Sequence, residues 1–183
     1  MEEQQYSSAA EDPPSSEEPP PPWRKIPPSK WNDWRWQLSN RLSTPDDFAS
    51  VVQLSPEEIG GLTAPDRFHV DVTPYFASLM DPQDPSCPIR QQVIPTSREI
   101  LPFRAEMTDS LAEEEQSPVP GLVHRYPDRV LMLLTTQCAS YCRFCTRSRL
   151  VGNADAQFTL AQHKAQLDYI AATPQIRDVL LSG

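Results

Sequence analysis

The 183-residue chain carries a formal charge of −9 and 38% apolar residues, enough for one modest core. Six carboxylates (Glu2, Glu3, Glu11, Asp12, Glu17 and Glu18) fall in the first 22 residues, which hold no Lys or Arg, so the rest of the chain carries only −3; this acidic balance excludes a nucleic-acid binder, which needs clustered positive charge against phosphate. No apolar run approaches the roughly 18 residues of a membrane span, the N-terminus has no basic start or apolar segment of a secretory signal, and three of the four cysteines crowd together, which suits a metal in a reducing, cytoplasmic setting.

Taken in chain order, residues 1–29 form an acidic, proline-rich stretch expected to be a disordered tail, because prolines deny the backbone its donors. Residues 30–122 are expected to form a helical N-terminal region. Trp31, Trp34, Leu38 and Leu42 recur at three- to four-residue spacing and predict one helix with a shared apolar face, capped by Ser29. A second short helix is predicted from Pro45 to Val52 with Thr44 as its cap. A third starts at Ser55, whose spacing to Glu58 is that of a capping box, and is expected to end at Gly60-Gly61. Residues 63–128 are punctuated by proline and are expected to wrap a neighbouring domain, with Asp109–Glu115 as a solvated acidic run.

The texture then changes. Arg129–Thr136 is a nearly continuous apolar run, as in a strand buried on both faces of a parallel sheet. Thr159–Ala172 predicts a helix with Leu160, Leu167 and Ile170 on its buried side, and Arg177–Leu181 a second buried strand. Strand, helix and strand make a βαβ unit over 123–183, so the fold class is α/β. Two parallel strands leave most of their apolar surface in water, so the chain is expected to be part of a longer protein.

Cys138, Cys142 and Cys145 have C-x3-C-x2-C spacing directly after the first buried strand, the end at which catalytic groups collect in parallel barrels. A [4Fe–4S] cluster takes four ligands, so a loop offering three leaves one iron open to chelate a small molecule.

With an aromatic residue before its last Cys, this loop resembles that of the radical S-adenosylmethionine (SAM) superfamily, whose members bind SAM through the open iron and generate a 5′-deoxyadenosyl radical. The resemblance implies a partial radical SAM (β/α) barrel, with Phe144 near the adenine and Ser182 and Gly183 near the SAM amino group. The similarity extends in order through Trp31–Leu38, Thr73-Pro74-Tyr75, Asp81–Arg90, Ile94–Glu99, His124–Arg129 and Cys145-Thr146-Arg147, all of which resemble the lysine 2,3-aminomutase family. That family implies a 1,2-amino shift dependent on pyridoxal 5′-phosphate (PLP). Arg125, Tyr126 and Arg129 match the residues that hold the PLP phosphate, and Arg147 the arginine that grips the substrate α-carboxylate. An amino acid substrate, an external electron donor and a homo-oligomer follow as expected partners. Phe144 departs from the lysine-type pattern, which has His there. The residues that choose between lysine and glutamate, and the lysine that carries PLP, are not among the matched positions.

Other readings of the same residues are a zinc site completed by Cys87 or His124, a non-catalytic iron–sulfur protein, and a related radical SAM protein that modifies a lysine of a translation factor. Cys87 by itself reads as a small buried hydrophobe, and His163 as a solvent-facing helix residue.

Overall fold

The computed structural model describes residues 19–64, 69–101, 107–153 and 156–183, so the expected tail lies outside the described residues over 1–18. Residues 19–29, assigned to the same tail, contain local structure and run into α1. Trp23 opens a short 3-10 turn, Trp23–Lys25, and its ring lies 5.5 Å from that of Trp31.

The single helix expected from Trp31 to Leu42 is two: α1, Pro28–Trp31, and α2, Trp34–Ser39. The break is at Asp33, whose side chain accepts from the Arg35 backbone N–H at 2.9 Å and so starts a new helix instead of continuing the first. The break also changes the inner face. Gln37 is buried in place of Trp34, donating to the Trp31 carbonyl and accepting from the Tyr75 N–H, each at 2.8 Å.

The next two helices start at the expected caps. α3, Pro45–Ala49, and α4, Pro56–Leu62, both carry complete capping boxes, Thr44 with Asp47 and Ser55 with Glu58. Gly60 and Gly61 lie inside α4 and do not stop it. Gly61 is there for close approach, since a Cβ on it would fall 2.4 Å from the Pro95 carbonyl oxygen. Two more single-turn helices follow, α5, Pro74–Ala77, and α6, Pro88–Gln91. The core of this region gathers Leu42, Phe48, Val52, Val72, Met80 and Ile94. Within it Arg90, fully buried, donates to both Glu58 oxygens at 2.7 and 2.6 Å and to the Gln53 carbonyl at 2.6 Å, tying α4 to α6.

The C-terminal part holds a sheet ordered β1, Leu122–Tyr126; β2, Arg129–Leu133; β3, Asp178–Ser182. β2 and β3 are parallel and joined through α7, Leu160–Ala172, the expected βαβ unit. β1 was not foreseen as a strand. It pairs antiparallel with β2 across Pro127-Asp128, so the sheet is mixed.

α7 starts one residue later than expected, with Thr159 as its cap in a capping box with Gln162, and it buries a different face. Leu160 is 86% exposed and Leu167 57%, whereas Gln166 is fully buried, donating to the Pro120 carbonyl at 2.9 Å. Tyr169 and Ile170 complete the contact with Leu122, Val130 and Met132.

Nor is β3 buried: Leu180 is 64% exposed. Only one face of the sheet is covered by α7, and the opposite row, Val123, Leu131 and Leu180 in register, is open. Three strands make a small mixed α/β sheet and do not close a barrel.

Candidate functional site

The segment after β2 carries the three cysteines, and the N-terminal region holds it in place along its length. Arg41 donates to the Cys138 carbonyl at 3.1 Å and pairs with Asp71 at 3.2 Å; the Tyr141 N–H donates to the Asp71 carbonyl at 2.9 Å; and Val72 bridges Ser140. Further along, the Arg143 N–H donates to the Gln92 carbonyl at 2.7 Å, and its guanidinium to Glu99 at 2.6 Å. Arg147 pairs with Glu113 at 2.7 Å and Arg149 with Glu114 at 2.9 Å. The acidic run expected to be solvated is thus a contact, and Glu113 is only 6% exposed.

Within this cradle Cys138, Cys142 and Cys145 are free, half-buried thiols. Burial pushes the Cys138 thiol up, and the neighbouring Cys145 and Cys142 push it further; burial and Cys145 act on Cys142 in the same direction. Three thiols that repel one another as thiolates suit a cationic body able to neutralise them together. Among the described residues no three Cys, His, Asp or Glu side chains converge on one point, as a single tetrahedral zinc requires. A [4Fe–4S] cluster that keeps one iron open takes three thiolates, and these three residues are the candidates for holding it. Cys87 is buried at the start of α6, accepting from the Asp81 N–H at 3.4 Å.

The loop meets the strand ends in a small cavity of about 110 Å³, whose walls include Thr135, Cys138, Cys145, Arg147 and Gly183. Gly183 lies so close to Thr135 that a Cβ on it would fall 2.4 Å from the threonine methyl. Ser182 accepts from Arg147 Nη1 at 3.4 Å. The ends of the parallel strands therefore bring together Cys138, Cys145, Arg147 and Ser182-Gly183. Phe144 is 72% exposed and stands apart from them.

Arg125, Tyr126 and Arg129 lie at the far end of the sheet, lining a cavity of about 470 Å³ over the open face. From Arg129 to Leu133 the strand advances about 13 Å, which separates this group from the cysteine loop. Arg129 donates to both Asp128 oxygens at 2.9 Å, and Arg177 to one of them at 2.8 Å; the Arg129 bonds, then its charge and Arg177, hold the Asp128 carboxyl down at about 2. The Arg125 side chain makes no hydrogen bond or ion pair among the described residues. One free guanidinium and one with an open edge suit a phosphate dianion.

His163 is half-buried, its Nδ1 2.9 Å from Gln166 Oε1, and His124 Nδ1 lies 2.8 Å from the Tyr169 hydroxyl. The sequence had not singled out Arg41, Asp71, Glu99 or Glu113 by role. Only Glu99 carried a signal, as the third residue after Thr96 in a capping box. No helix among the described residues is long and apolar enough to cross a membrane.

No protein-family model matches the chain. Among curated proteins it is 47% identical over 162 residues to the L-lysine 2,3-aminomutase of Bacillus subtilis and 48% over 159 residues to that of Fusobacterium nucleatum. It is 37% identical over 154 residues to the glutamate 2,3-aminomutase of Clostridioides difficile. These matches cover 84–88% of the chain and 34–37% of the relatives, so the chain spans about a third of their length.

Proposed function

We propose that this chain, homologous along most of its length to the lysine 2,3-aminomutases of the radical SAM superfamily, forms part of the active site of an amino acid 2,3-aminomutase. The observation that carries the reading is the meeting of Cys138, Cys145, Arg147 and Gly183 in one cavity at the ends of the parallel strands.

Each group then has a task set by its chemistry. Cys138, Cys142 and Cys145 hold a [4Fe–4S] cluster and leave one iron for SAM, with Ser182 and Gly183 toward the SAM amino group and Phe144 toward its adenine. Arg147 grips the α-carboxylate of the substrate, which keeps the amino acid beside the cluster loop. Arg125, Tyr126 and Arg129 take the phosphate of PLP at the far end of the same face, about one strand length away. When bound, the reduced cluster would supply the one electron that cleaves SAM and so produces the hydrogen-abstracting radical, and PLP would carry the migrating nitrogen. The open row Val123, Leu131 and Leu180 walls the space between the two ends and excludes water from it once covered. An external one-electron donor would supply the electron that first reduces the cluster.

The test is turnover by the complete protein that carries this chain, reduced anaerobically and supplied with SAM and PLP. L-Lysine and L-glutamate are offered separately and the products resolved by chromatography. A β-amino isomer of either one supports the reading. An intact, SAM-responsive cluster with no isomer from any amino acid overturns it.

A further inference from the structure

We propose that Glu113 is the positioning residue for Arg147, clamping one edge of its guanidinium so that the other edge faces an incoming α-carboxylate; this rests on the role given to Arg147 above. A guanidinium offers five N–H donors in a rigid plane, along a side edge formed by Nε and Nη2 and an end edge formed by Nη1 and Nη2. Glu113 takes the side edge. Arg147 Nε donates to Oε2 at 3.0 Å and Nη2 to Oε1 at 2.7 Å, a paired geometry that fixes the plane as well as the charge. The end edge points the other way, and its Nη1 reaches Ser182 Oγ at 3.4 Å, at the end of β3.

The backbone is shaped to present Glu113. Ala112 sits at φ 52°, a left-handed conformation that is unfavourable for a residue with a Cβ. The Ala112 N–H donates to the Asp109 carbonyl at 3.2 Å and the Glu114 N–H to Asp109 Oδ2 at 2.8 Å, closing a turn that Arg149 pins to the cysteine segment through Glu114. A solvated acidic loop has no need of such a turn. A long arginine left without this clamp keeps its rotamer freedom and spends it on binding.

The experiment uses the complete protein with Glu113→Ala and Glu113→Gln, each alone and combined with Arg147→Ala. Binding of L-lysine and of pentane-1,5-diamine, which lacks the carboxylate, is measured by calorimetry, alongside kcat, KM and cluster absorbance. The expected result is a rise of at least about tenfold in Kd and KM for lysine with Glu113→Ala, since bonds to a charged group are being removed. Glu113→Gln, which keeps one acceptor, falls between. Diamine affinity and cluster absorbance stay at the wild-type level, and the double variant is no worse than Arg147→Ala alone.

Lysine binding that tightens in Glu113→Ala overturns the proposal, because Glu113 is then a competitor for Arg147. Lysine binding weakened by Arg147→Ala and untouched by either Glu113 variant overturns it as well, while the role of Arg147 stands. Lysine binding indifferent to Arg147→Ala overturns both.

Discussion

Arg90 and Glu58 are charges buried far from solvent, at 0% and 4% side-chain exposure, and each is tolerable only because the other is there. Burial pushes the Glu58 carboxyl up, but the bonds from Arg90 and Ser55 outweigh it and hold the group below its usual value. Its contribution to stability is therefore complete above the unfolded value of about 4.3 and fades as pH falls through the lower folded value. Arg90→Met leaves a buried carboxylate alone, and the expected cost at neutral pH is about 3–5 kcal/mol. Urea unfolding of the complete protein from pH 7 downward should show the gap between variant and wild type narrowing in acid, as Glu58 takes up a proton. A constant gap would mean that the loss is one of packing alone. Glu58 is marked in the sequence only as the capping-box partner of Ser55, and its pairing with Arg90 is not marked at all. Arg90 looks like any helix cation there, as Glu113 looks like one of several acidic residues, because an ion pair between distant segments leaves no local spacing. The three cysteines were legible for the opposite reason, since their ligand spacing lies within eight residues.

Elements were readable where their determinants are local. Thr44 and Ser55 start their helices as expected, because a cap needs only the residue three positions on. Faces and ends were less readable. Leu160 and Leu167 have helical spacing, yet α7 turns Gln166 inward because the Pro120 carbonyl needs a donor. β1 was missed because His124, Arg125 and Tyr126 break the apolar pattern that marked β2. Gly60-Gly61 resembles a helix stop, but close packing against Pro95 explains Gly61 better. Gly61→Ala should therefore destabilise the protein by about 1–3 kcal/mol, since its new methyl meets backbone. Gly60→Ala meets only the Ser97 side chain, at 3.0 Å, and gains helix propensity, so it should be much the milder change. Equal melting temperatures for the two variants would contradict this account of Gly61.

At the scale of the whole molecule, a helical region holds a cysteine loop against the end of a small sheet. Carboxylates Asp71, Glu99, Glu113 and Glu114 reach Arg41, Arg143, Arg147 and Arg149 from segments far away in sequence. Such a frame fixes the backbone of the cysteine segment from several sides, which a preorganised ligand loop requires. The mixed character of the sheet was not legible, since β1 lacks an apolar pattern, whereas the uncovered apolar surface was, because two parallel strands cannot cover both faces.

The most direct test of the central claim is low-temperature EPR of the complete protein, reconstituted anaerobically with iron and sulfide and reduced, with and without SAM. The account predicts a [4Fe–4S] signal whose shape changes when SAM is added, because three thiolates leave one iron to chelate it. A signal indifferent to SAM, or zinc held in place of iron, would contradict it.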